Sequence, residues 1–308
     1  MSSNRQLKTK IRAVGNIKQI TKAMQMVAAT KMRKAQEVAL RARPYARHAL
    51  SLLRSLLLFE GGEELRARSH FFKEIDRKNP CLVVVTSDRG LCGGFNSQVL
   101  RAALKFRKEY PESSIVVIGK KGKEFFERRG IPILKSFSDF SEIVTLADVA
   151  PVAEFLIKEY GQHRHDTITF CSTLFVTALL QRVGLCRMLP ITLDELEITI
   201  RGIVPSVGKY SDIQDKEEEP NPIVSLLEPE AENIFEELVE DLVRIEILHH
   251  IFESNASEHS SRMLAMKNAT DNAEDLEEEL QLLLNKARQG AITQELSEIA
   301  SAKEALVS

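Results

Sequence analysis

The sequence predicts an α/β protein in which a long antiparallel coiled coil of N- and C-terminal helices carries a central Rossmann-like α/β domain. Long segments almost free of proline lie at both ends of the 308-residue chain, and their charges are opposite in sign. Between them, strand-like and helix-like patterns alternate. We expect an N-terminal helix at 1–58, the central domain at 80–200, an acidic linker or foot loop at 205–229, and a C-terminal helix at 230–308.

The C-terminal segment is the longest predicted helix. After Pro229 it contains no proline and a single glycine, Gly290. A helix of this length would run about 115 Å at about 1.5 Å per residue, so it needs a partner helix rather than a place inside a small core. Small and apolar residues recur at alternating steps of four and three, as in a heptad seam: Ala269, Ala273, Leu276, Leu280, Leu283, Ala287 and Gly290.

The N-terminal segment supplies the partner helix. Residues 1–43 contain no proline and one glycine, Gly15. The helix is expected to resume through Pro44 to Leu58, because proline is tolerated at a helix start or kink. Apolar positions step by threes and fours over most of the run: Ile11, Val14, Ile17, Ile20, Met24, Val27 and Val38.

Charge supports an antiparallel pairing of the two segments. Residues 1–47 hold twelve Lys and Arg against one acid, Glu37, whereas residues 228–308 hold nineteen Asp and Glu against six Lys and Arg. The net charge of −2 for the whole chain therefore hides a basic head and an acidic tail.

The two helices differ in predicted length, so the C-terminal one should project beyond its partner. The N-terminal helix spans about 85 Å even if it continues to Leu58. The projecting tip, from 287–293 onward, is small, apolar and sparsely charged. A lone helix of this kind exposes apolar surface to water, so we expect a partner outside this chain to enclose it.

Composition is that of a soluble globular protein, with 44% hydrophobic and 28% charged residues. No apolar run reaches the roughly 20 residues that span a bilayer, and the N-terminus lacks the apolar region of a secretory signal. It is basic and amphipathic, as transit peptides are, but its periodicity continues into the coiled coil and we interpret it as structure. The cysteines lack CxxC spacing and are expected to be free thiols in a reducing cytoplasm: Cys81, Cys92, Cys171 and Cys186.

Short β-branched runs mark four strands in the middle of the chain, at 81–86, 115–118, 167–170 and 173–176. Helix-like stretches accompany them, at 96–109, 122–129 and 146–160. This alternation predicts a largely parallel sheet.

Two glycine-rich segments follow predicted strands, where a doubly wound fold binds phosphate. The first, at 87–96, is neither GxGxxG nor a Walker loop. We therefore favour a turn in which Asp88 and Arg89 pair locally or meet a partner subunit. The second, at 119–123, is basic, and we interpret it as a surface loop rather than a phosphate site.

The residue patterns favour no catalytic, metal or nucleic-acid site. Cys92 has no His or Asp neighbour in sequence that would activate it. The pairs His163/His165 and His249/His250 lack the i, i+4 spacing of a metal-binding helix, so we expect them on solvated faces. The basic N-terminus lacks interleaved aromatic residues, and its charge is largely matched by the acidic C-terminal helix.

Four motifs resemble the gamma subunit of F-type ATP synthases. The sequence IKQITKAMQMVAATKMRKA at 17–35 is similar to the N-terminal signature of that family, and TSDRGLCGGFN at 86–96 is similar to its central-domain signature. Residues 258–273 and 285–296 resemble its C-terminal helix. The motifs are long and occur in the family's order and spacing, which makes the resemblance specific.

The resemblance implies a central rotor shaft. In that family the coiled coil sits inside a hexamer of alternating alpha and beta subunits, and the base meets the epsilon subunit and a membrane ring of c subunits. Ion flow turns the ring and the shaft, and the asymmetric shaft forces each catalytic beta subunit through its conformations. This implies a non-catalytic subunit without cofactor, metal or nucleic acid. It would be peripheral on the cytoplasmic face of a bacterial inner membrane and would touch the membrane only through the complex.

The resemblance also assigns contact residues by motif position. Four of them correspond to the contact between shaft and hexamer: Met24, Arg262, Gln289 and Thr293. Contacts with the c ring and the epsilon subunit are assigned to the turn and the foot: Asp88, Arg89, Leu227 and Glu228. The family usually has Ala or Ser where this chain has Gly290, and a glycine inside a helix costs about 1 kcal/mol, which would soften the tip. The chain has no paired-cysteine insert of the chloroplast regulatory type, which argues against thiol switching.

Two other functions are compatible with the residues themselves. A coiled-coil scaffold without a motor role would lie beside one partner rather than inside a pseudo-threefold ring. A nucleotide-binding α/β enzyme with helical arms would bind ATP or NAD as an isolated chain.

Overall fold

The computed structural model of the chain describes residues 2–58, 62–74, 79–140, 144–192 and 231–307. The chain divides into two compact units. The first combines Met1–Ala28 with Arg262–Ser308, and the second is Ala29–Ser261.

Helices account for most of the described chain. The two long ones are α1, Ser2–Leu58, and the C-terminal helix α6, Ala231–Val307. The shorter helices are α2, Gly62–Arg68; α3, Phe95–Glu109; α4, Lys120–Arg128; and α5, Leu146–Gly161. A single 3-10 turn, His70–Phe72, follows α2.

Five strands form one sheet in the order β3-β2-β1-β4-β5. They are β1, Cys81–Val85; β2, Ser114–Ile118; β3, Lys135–Phe137; β4, Ile168–Phe175; and β5, Gln181–Leu189. The first four are parallel to their neighbours, and β5 pairs antiparallel with β4. The chain leaves β1 toward β2 on one side and β4 lies on the other, so the loop after β1 sits where the strand order reverses.

Strand β1 shows how the sheet separates two cores. Its side chains alternate between faces, as the two-residue period of a strand requires. Cys81, Val83 and Val85 pack with buried residues of α1, α5 and α6, whereas Leu82 and Val84 pack with those of α3 and α4. All five are buried, which explains why the sequence of β1 is a continuous apolar run rather than an alternating one.

A polar stripe on α6 lies against the hairpin of β4 and β5. We define it by Glu246, His250, Glu253, Ser257 and Ser260, whose spacing of four and three residues places them on one helix face. Glu253 accepts the backbone N–H of Phe175 through Oε2 at 2.6 Å, and Ser257 Oγ donates to the carbonyl of Thr173 at 3.4 Å. Burial raises the pKa of Glu253 to about 7, and the Phe175 N–H opposes that shift.

Most of the predicted elements of the sheet are confirmed, two expectations were wrong in detail, and three elements were missed. The strands expected at 167–170 and 173–176 are one strand, β4, because Cys171 and Ser172 continue the ladder opposite Leu185 and Gly184. The segment expected to be a surface loop at 119–123 is the start of α4. Strands β3 and β5 and helix α2 were not predicted.

The described cysteines are free thiols, as expected. Three are buried, and Cys186 on β5 is half-buried. None of the helices in the described part of the chain has the length and apolarity needed to cross a membrane.

Candidate functional site

The first unit contains a pair of antiparallel helical segments. Thr21 on α1 and Thr270 on α6 are both buried, and their hydroxyl oxygens lie 2.8 Å apart. Six residues nearer the N-terminus of α1, a Cβ built at Gly15 would lie 3.6 Å from Glu277 Oε1. Residue numbers fall along α1 as they rise along α6, which confirms the predicted antiparallel coiled coil.

Opposite charges meet along this pair. Lys18 Nζ donates to Glu274 Oε1 at 3.0 Å and to Glu277 Oε2 at 3.2 Å. The hydrogen bond to Glu274 is the largest cause of a raised pKa of Lys18, and the hydrogen bond to Glu277 raises this pKa further. The pairs are open to solvent, so they fix the register and orientation of the helices more than they stabilise them.

The face buried between the helices differs from the predicted seam. On α1, Thr21 and Ala28 are buried and Ile11, Val14 and Lys18 are half-buried, and on α6 the buried residues of this face include Met266, Thr270, Ala273 and Leu280. Three predicted seam residues of α1 are instead more than half exposed: Ile17, Ile20 and Val27. Leu276 and Leu283 of α6 are likewise exposed. The seam prediction was therefore wrong in phase at these five positions.

The pattern of apolar residues alone does not reveal the polar members of the buried face. Lys18 and Thr21 continue a heptad phase that starts at Leu7 and steps by four and three to Ala28. That unbroken spacing was the available signal. Lys18 and Thr21 can occupy such positions because each packs its carbon atoms against the partner helix while its polar atom keeps a hydrogen bond.

The exposed apolar residues of α1 form a second stripe beside the buried face. Ile17, Ile20, Met24 and Val27 step by three and four residues, so they share one side of the helix. Met24 is half-buried, whereas Ile20 is 60% exposed. Arg262, on α6, is buried. Met24 thus lies at the edge of a surface open to another molecule, while Arg262 is largely covered within the chain.

Gln289 and Thr293 lie on the exposed end of α6. Every residue from Arg288 to Ile299 is exposed, and Thr293 Oγ1 donates to the Gln289 carbonyl at 3.0 Å within the helix. Leu296 and Ile299 expose 62% and 66% of their surface. The predicted bare tip is confirmed over these residues.

The glycine-rich turn after β1 is closed by its own side chains. Asp88 accepts the backbone N–H of Lys120 at 2.9 Å through Oδ1 and that of Asp139 at 3.2 Å through Oδ2. Its carboxylate therefore occupies the N-terminus of α4, the place where a phosphate would bind. Lys120 Nζ also contacts Asp139 Oδ1 at 2.6 Å, a contact that raises the pKa of Lys120 and lowers that of Asp139.

Asn96 holds the rest of the turn together. Its Oδ1 accepts the Ser87 N–H at 3.0 Å, and its Nδ2 donates to Ser87 Oγ at 2.7 Å and to Cys92 Sγ at 3.3 Å. Ser87 Oγ in turn donates to the carbonyl of Arg89 at 2.7 Å. Cys92 is buried in this network, and the Arg89 side chain is exposed at its rim. The interpretation of this segment as a structural turn with local pairing of Asp88 is supported.

We expect the isolated chain neither to bind nor to hydrolyse ATP. The carboxylate of Asp88 would repel a phosphate at the start of α4, and the sequence contains no Walker loop. Isothermal titration calorimetry of the free chain with magnesium and ATP checks this. Stoichiometric binding that disappears in a Gly93→Ala, Gly94→Ala variant would contradict it.

Two further sequence predictions concern the foot residues and the histidine pairs. The foot residues Leu227 and Glu228 lie outside the described residues. The expectation that the histidine pairs lie on solvated faces was wrong for His165, His249 and His250, which are buried. His249 and His250 are covered because their stretch of α6 packs on the sheet, which the helix pattern alone does not reveal. Burial lowers the pKa of His249 to about 4 and that of His250 to about 3, so both rings are neutral.

Comparison with known proteins places the chain in a family. The family model described as ATP synthase matches residues 3–306. An ATP synthase gamma chain of Pelotomaculum thermopropionicum is 35% identical over 308 residues, covering 99% of this chain and 100% of the relative. The ATP synthase gamma chain of Legionella pneumophila strain Corby is 33% identical over 310 residues, with the same coverage.

Solved structures support the fold. The rotor of the Euglena gracilis mitochondrial ATP synthase contains a chain that matches with a TM-score of 0.58 at 20% identity, covering 94% of this chain and 99% of the other. At 20% identity this structural similarity supports the fold alone. The family assignment rests on the sequence relatives, which match 99% of the chain. The chain therefore belongs to the ATP synthase gamma chain family, whose members are non-catalytic components of that complex.

Proposed function

We propose that this chain, a central-stalk subunit of an ATP synthase, transmits torque between an ion-driven ring of c subunits and a catalytic hexamer of alpha and beta subunits. The chain is non-catalytic, and its part in the reaction is mechanical. The observation that carries the proposal is the bare end of α6, where every residue from Arg288 to Ile299 is exposed.

The helix pair explains why that end is bare. Gly15 lies beside Glu277, and α1 begins thirteen residues before Gly15. In an antiparallel pair, the start of α1 is therefore level with the residue thirteen positions after Glu277, which is Gly290. Beyond that level, Ile292, Leu296 and Ile299 expose apolar surface on a single helix. Apolar residues arranged in this way favour a protein sleeve over water.

The chemistry of the tip suits a sleeve within which the helix turns. Between Gln289 and Gln294 the side chains are short or uncharged, so they offer few strong bonds that would hold the shaft at one angle. Charged residues lie further along the pair, where Lys18 meets Glu274 and Glu277. Charges there give contacts with the surrounding subunits that depend on rotation angle.

The proposed contacts with the membrane-side subunits involve a different set of residues. We assign contacts with the epsilon subunit and the c ring to the turn with Asp88 and Arg89 and to Leu227 and Glu228. Arg89 is exposed at the turn, which suits a subunit contact. The chain would then be a peripheral protein on the cytoplasmic face of a bacterial inner membrane, where it serves ion transport through the complex.

Amide hydrogen exchange of the tip tests this function. We expect amides of residues 289–299 to exchange rapidly in the free chain and to become strongly protected in the assembled complex, because only the complex supplies a sleeve. Mass spectrometry of peptides from both samples measures the difference. Helix α3 is the internal control, since its buried face should protect it in both states.

The outcomes separate the motor from its alternatives. Equal exchange of the tip in both samples would overturn the sleeve. A scaffold would protect one side of the tip through a single partner. Purification of the tagged chain from its host, with the bound subunits identified by mass, should instead yield alpha, beta, epsilon and c subunits together.

A further inference from the structure

A cluster of three metal-ligating side chains lies within the second unit, away from the glycine-rich turn. Cys186 is on β5, and Glu246 and His250 are one helical turn apart on α6. One ligand atom from each residue lies within 4.8 Å of the other two. Glu246 and His250 are 4% and 2% exposed, and Cys186 is half-buried at the open side of the cluster.

The imidazole of His250 is oriented with one nitrogen unused. Its Nδ1 lies 3.2 Å from Ser172 Oγ, and its ring stacks on Phe170 with centroids 4.9 Å apart. Nε2 is buried and has no hydrogen-bond partner. Leaving a buried polar atom unpaired is costly. A serine that accepts Nδ1–H leaves the Nε2 lone pair directed outward, which is the arrangement of a metal-bound histidine and its supporting residue.

The register of the sheet brings the thiol to the same place. Cys186 pairs with Phe170 in the antiparallel ladder of β4 and β5. Directly opposed residues of a ladder point to the same face of the sheet, so the thiol lies on the side where Phe170 meets His250. The Cys186 thiol donates a weak hydrogen bond to the carbonyl of Arg187 at 3.9 Å.

We propose that Cys186, Glu246 and His250 bind a zinc ion that links strand β5 to helix α6. Sulfur, nitrogen and oxygen donors together suit this borderline ion, and three protein ligands with water in the fourth position complete a tetrahedron. Metal ligands bind in their deprotonated forms, so the thiol releases its proton to solvent on binding.

The geometry requires only a small contraction. Zinc bonds of about 2.0 to 2.3 Å place tetrahedral ligand atoms about 3.5 Å from one another. The observed separations of up to 4.8 Å therefore close by at most about 1.3 Å through side-chain rotation. His250 is held by Ser172 and Phe170, so the carboxylate and the thiol supply the movement.

The ionisable groups around the cluster favour a cation. His249 is neutral, and Glu253 lies one turn further along α6. A divalent cation would offset the negative charge that a bound thiolate and the Glu246 carboxylate bring together.

Zinc binding by the full chain tests the proposal. Chain stripped with a chelator and kept reduced is titrated with zinc, and bound metal is counted by mass spectrometry after gel filtration. We expect one zinc per chain, a raised melting temperature, and a thiolate-to-metal charge-transfer band when cobalt replaces zinc. Cys186→Ser should weaken binding by at least about 100-fold and abolish the band, and Ser172→Ala should weaken binding by about 10-fold.

Controls distinguish this site from surface binding. Cys171→Ala removes a thiol from the opposite face of the same sheet, and it should leave zinc affinity and the cobalt band unchanged. Glu246→Gln keeps the side-chain shape and should weaken binding. Absence of stoichiometric zinc in the wild type, or equal affinity in Cys186→Ser, would overturn the proposal. Because these measurements use the free chain, neither result bears on the motor function.

Discussion

Gly119→Ala is expected to lower the free energy of unfolding of the α/β domain by at least about 3 kcal/mol. Gly119 has a φ of +99°, and a Cβ there would overlap the carbonyl oxygen of Thr86 and lie 2.8 Å from its Oγ1. The left-handed backbone costs about 1 to 3 kcal/mol for a residue with a side chain. Displacing packed atoms costs about 1 to 3 kcal/mol more.

Thr86 cannot move aside without breaking hydrogen bonds at the C-terminal ends of β1 and β2. Its N–H donates to Ile118 O at 2.8 Å, and its hydroxyl bonds to Ile118 O at 3.0 Å and accepts the N–H of Gly122 at 2.9 Å. The same residue therefore joins the ends of β1 and β2 to the start of α4. A loss of about 3 kcal/mol is a large part of the roughly 5 to 15 kcal/mol that stabilises a typical domain.

Urea denaturation followed by thiol reactivity measures this effect. Cys171 is fully buried between the sheet and α3, so its modification, followed by mass spectrometry, reports opening of the α/β domain rather than of the long helices. Gly130→Ala is the matched control, because Gly130 has a φ of +65° with no atom near its Cβ position. It should cost about 1 kcal/mol. A Gly119 variant no less stable than the Gly130 variant would contradict the steric argument.

The central sheet shows where sequence patterns were sufficient. Strands β1 and β2 were predicted within a residue because both are buried runs of β-branched residues bounded by turns. Strand β5 was missed because Arg182, Gly184 and Arg187 interrupt its apolar pattern. It is a strand because it pairs with β4 along its whole length, and that partner is tertiary information.

The helix pair shows the limit of hydrophobic periodicity. The apolar residues of α1 form two lines, one through Ile11 and Val14 and one through Ile17 and Ile20, and the sequence favours neither. Only the position of α6 decides which line is buried. Under the proposed function, the exposed line is surface that other subunits can contact, so the error in phase falls on residues of proposed function.

Buried polar groups on α6 were the least predictable part. Glu246 and His250 have the i, i+4 spacing of paired ligands, but the sequence reasoning considered only histidine pairs. The third member, Cys186, is sixty residues away along the chain and reaches them through the register of β5 on β4. A site assembled from a strand and a distant helix leaves no local motif.

Met24→Lys is expected to leave the complex assembled and hydrolysing ATP while ATP-driven ion pumping falls about tenfold. Met24 lies at the edge of the exposed apolar stripe, next to Ile20, and is half-buried. A lysine there can extend its ammonium to the surface on a flexible stem. Facing a surrounding subunit, it would find an acidic or carbonyl partner at some angles of rotation and none at others.

The size of the effect follows from one such bond. A hydrogen bond to a charged group contributes about 1.5 to 3 kcal/mol, which changes the population of one rotational state by tenfold or more. If the shaft is held at that angle, ATP hydrolysis is no longer coupled to rotation, and ion pumping falls. ATP hydrolysis and ion pumping measured on the same membrane vesicles separate the two.

Met24→Gln separates charge from shape. Glutamine is nearly as long as methionine and lacks the positive charge of lysine, so we expect ion pumping by the Met24→Gln variant to be close to that of the wild type. If Met24→Gln uncoupled the complex as strongly as Met24→Lys, packing rather than an added ionic bond would be responsible. If Met24→Lys failed to assemble, the ammonium would have been trapped against α6, and Met24 would belong to the interior of the helix pair rather than to its outer contact surface.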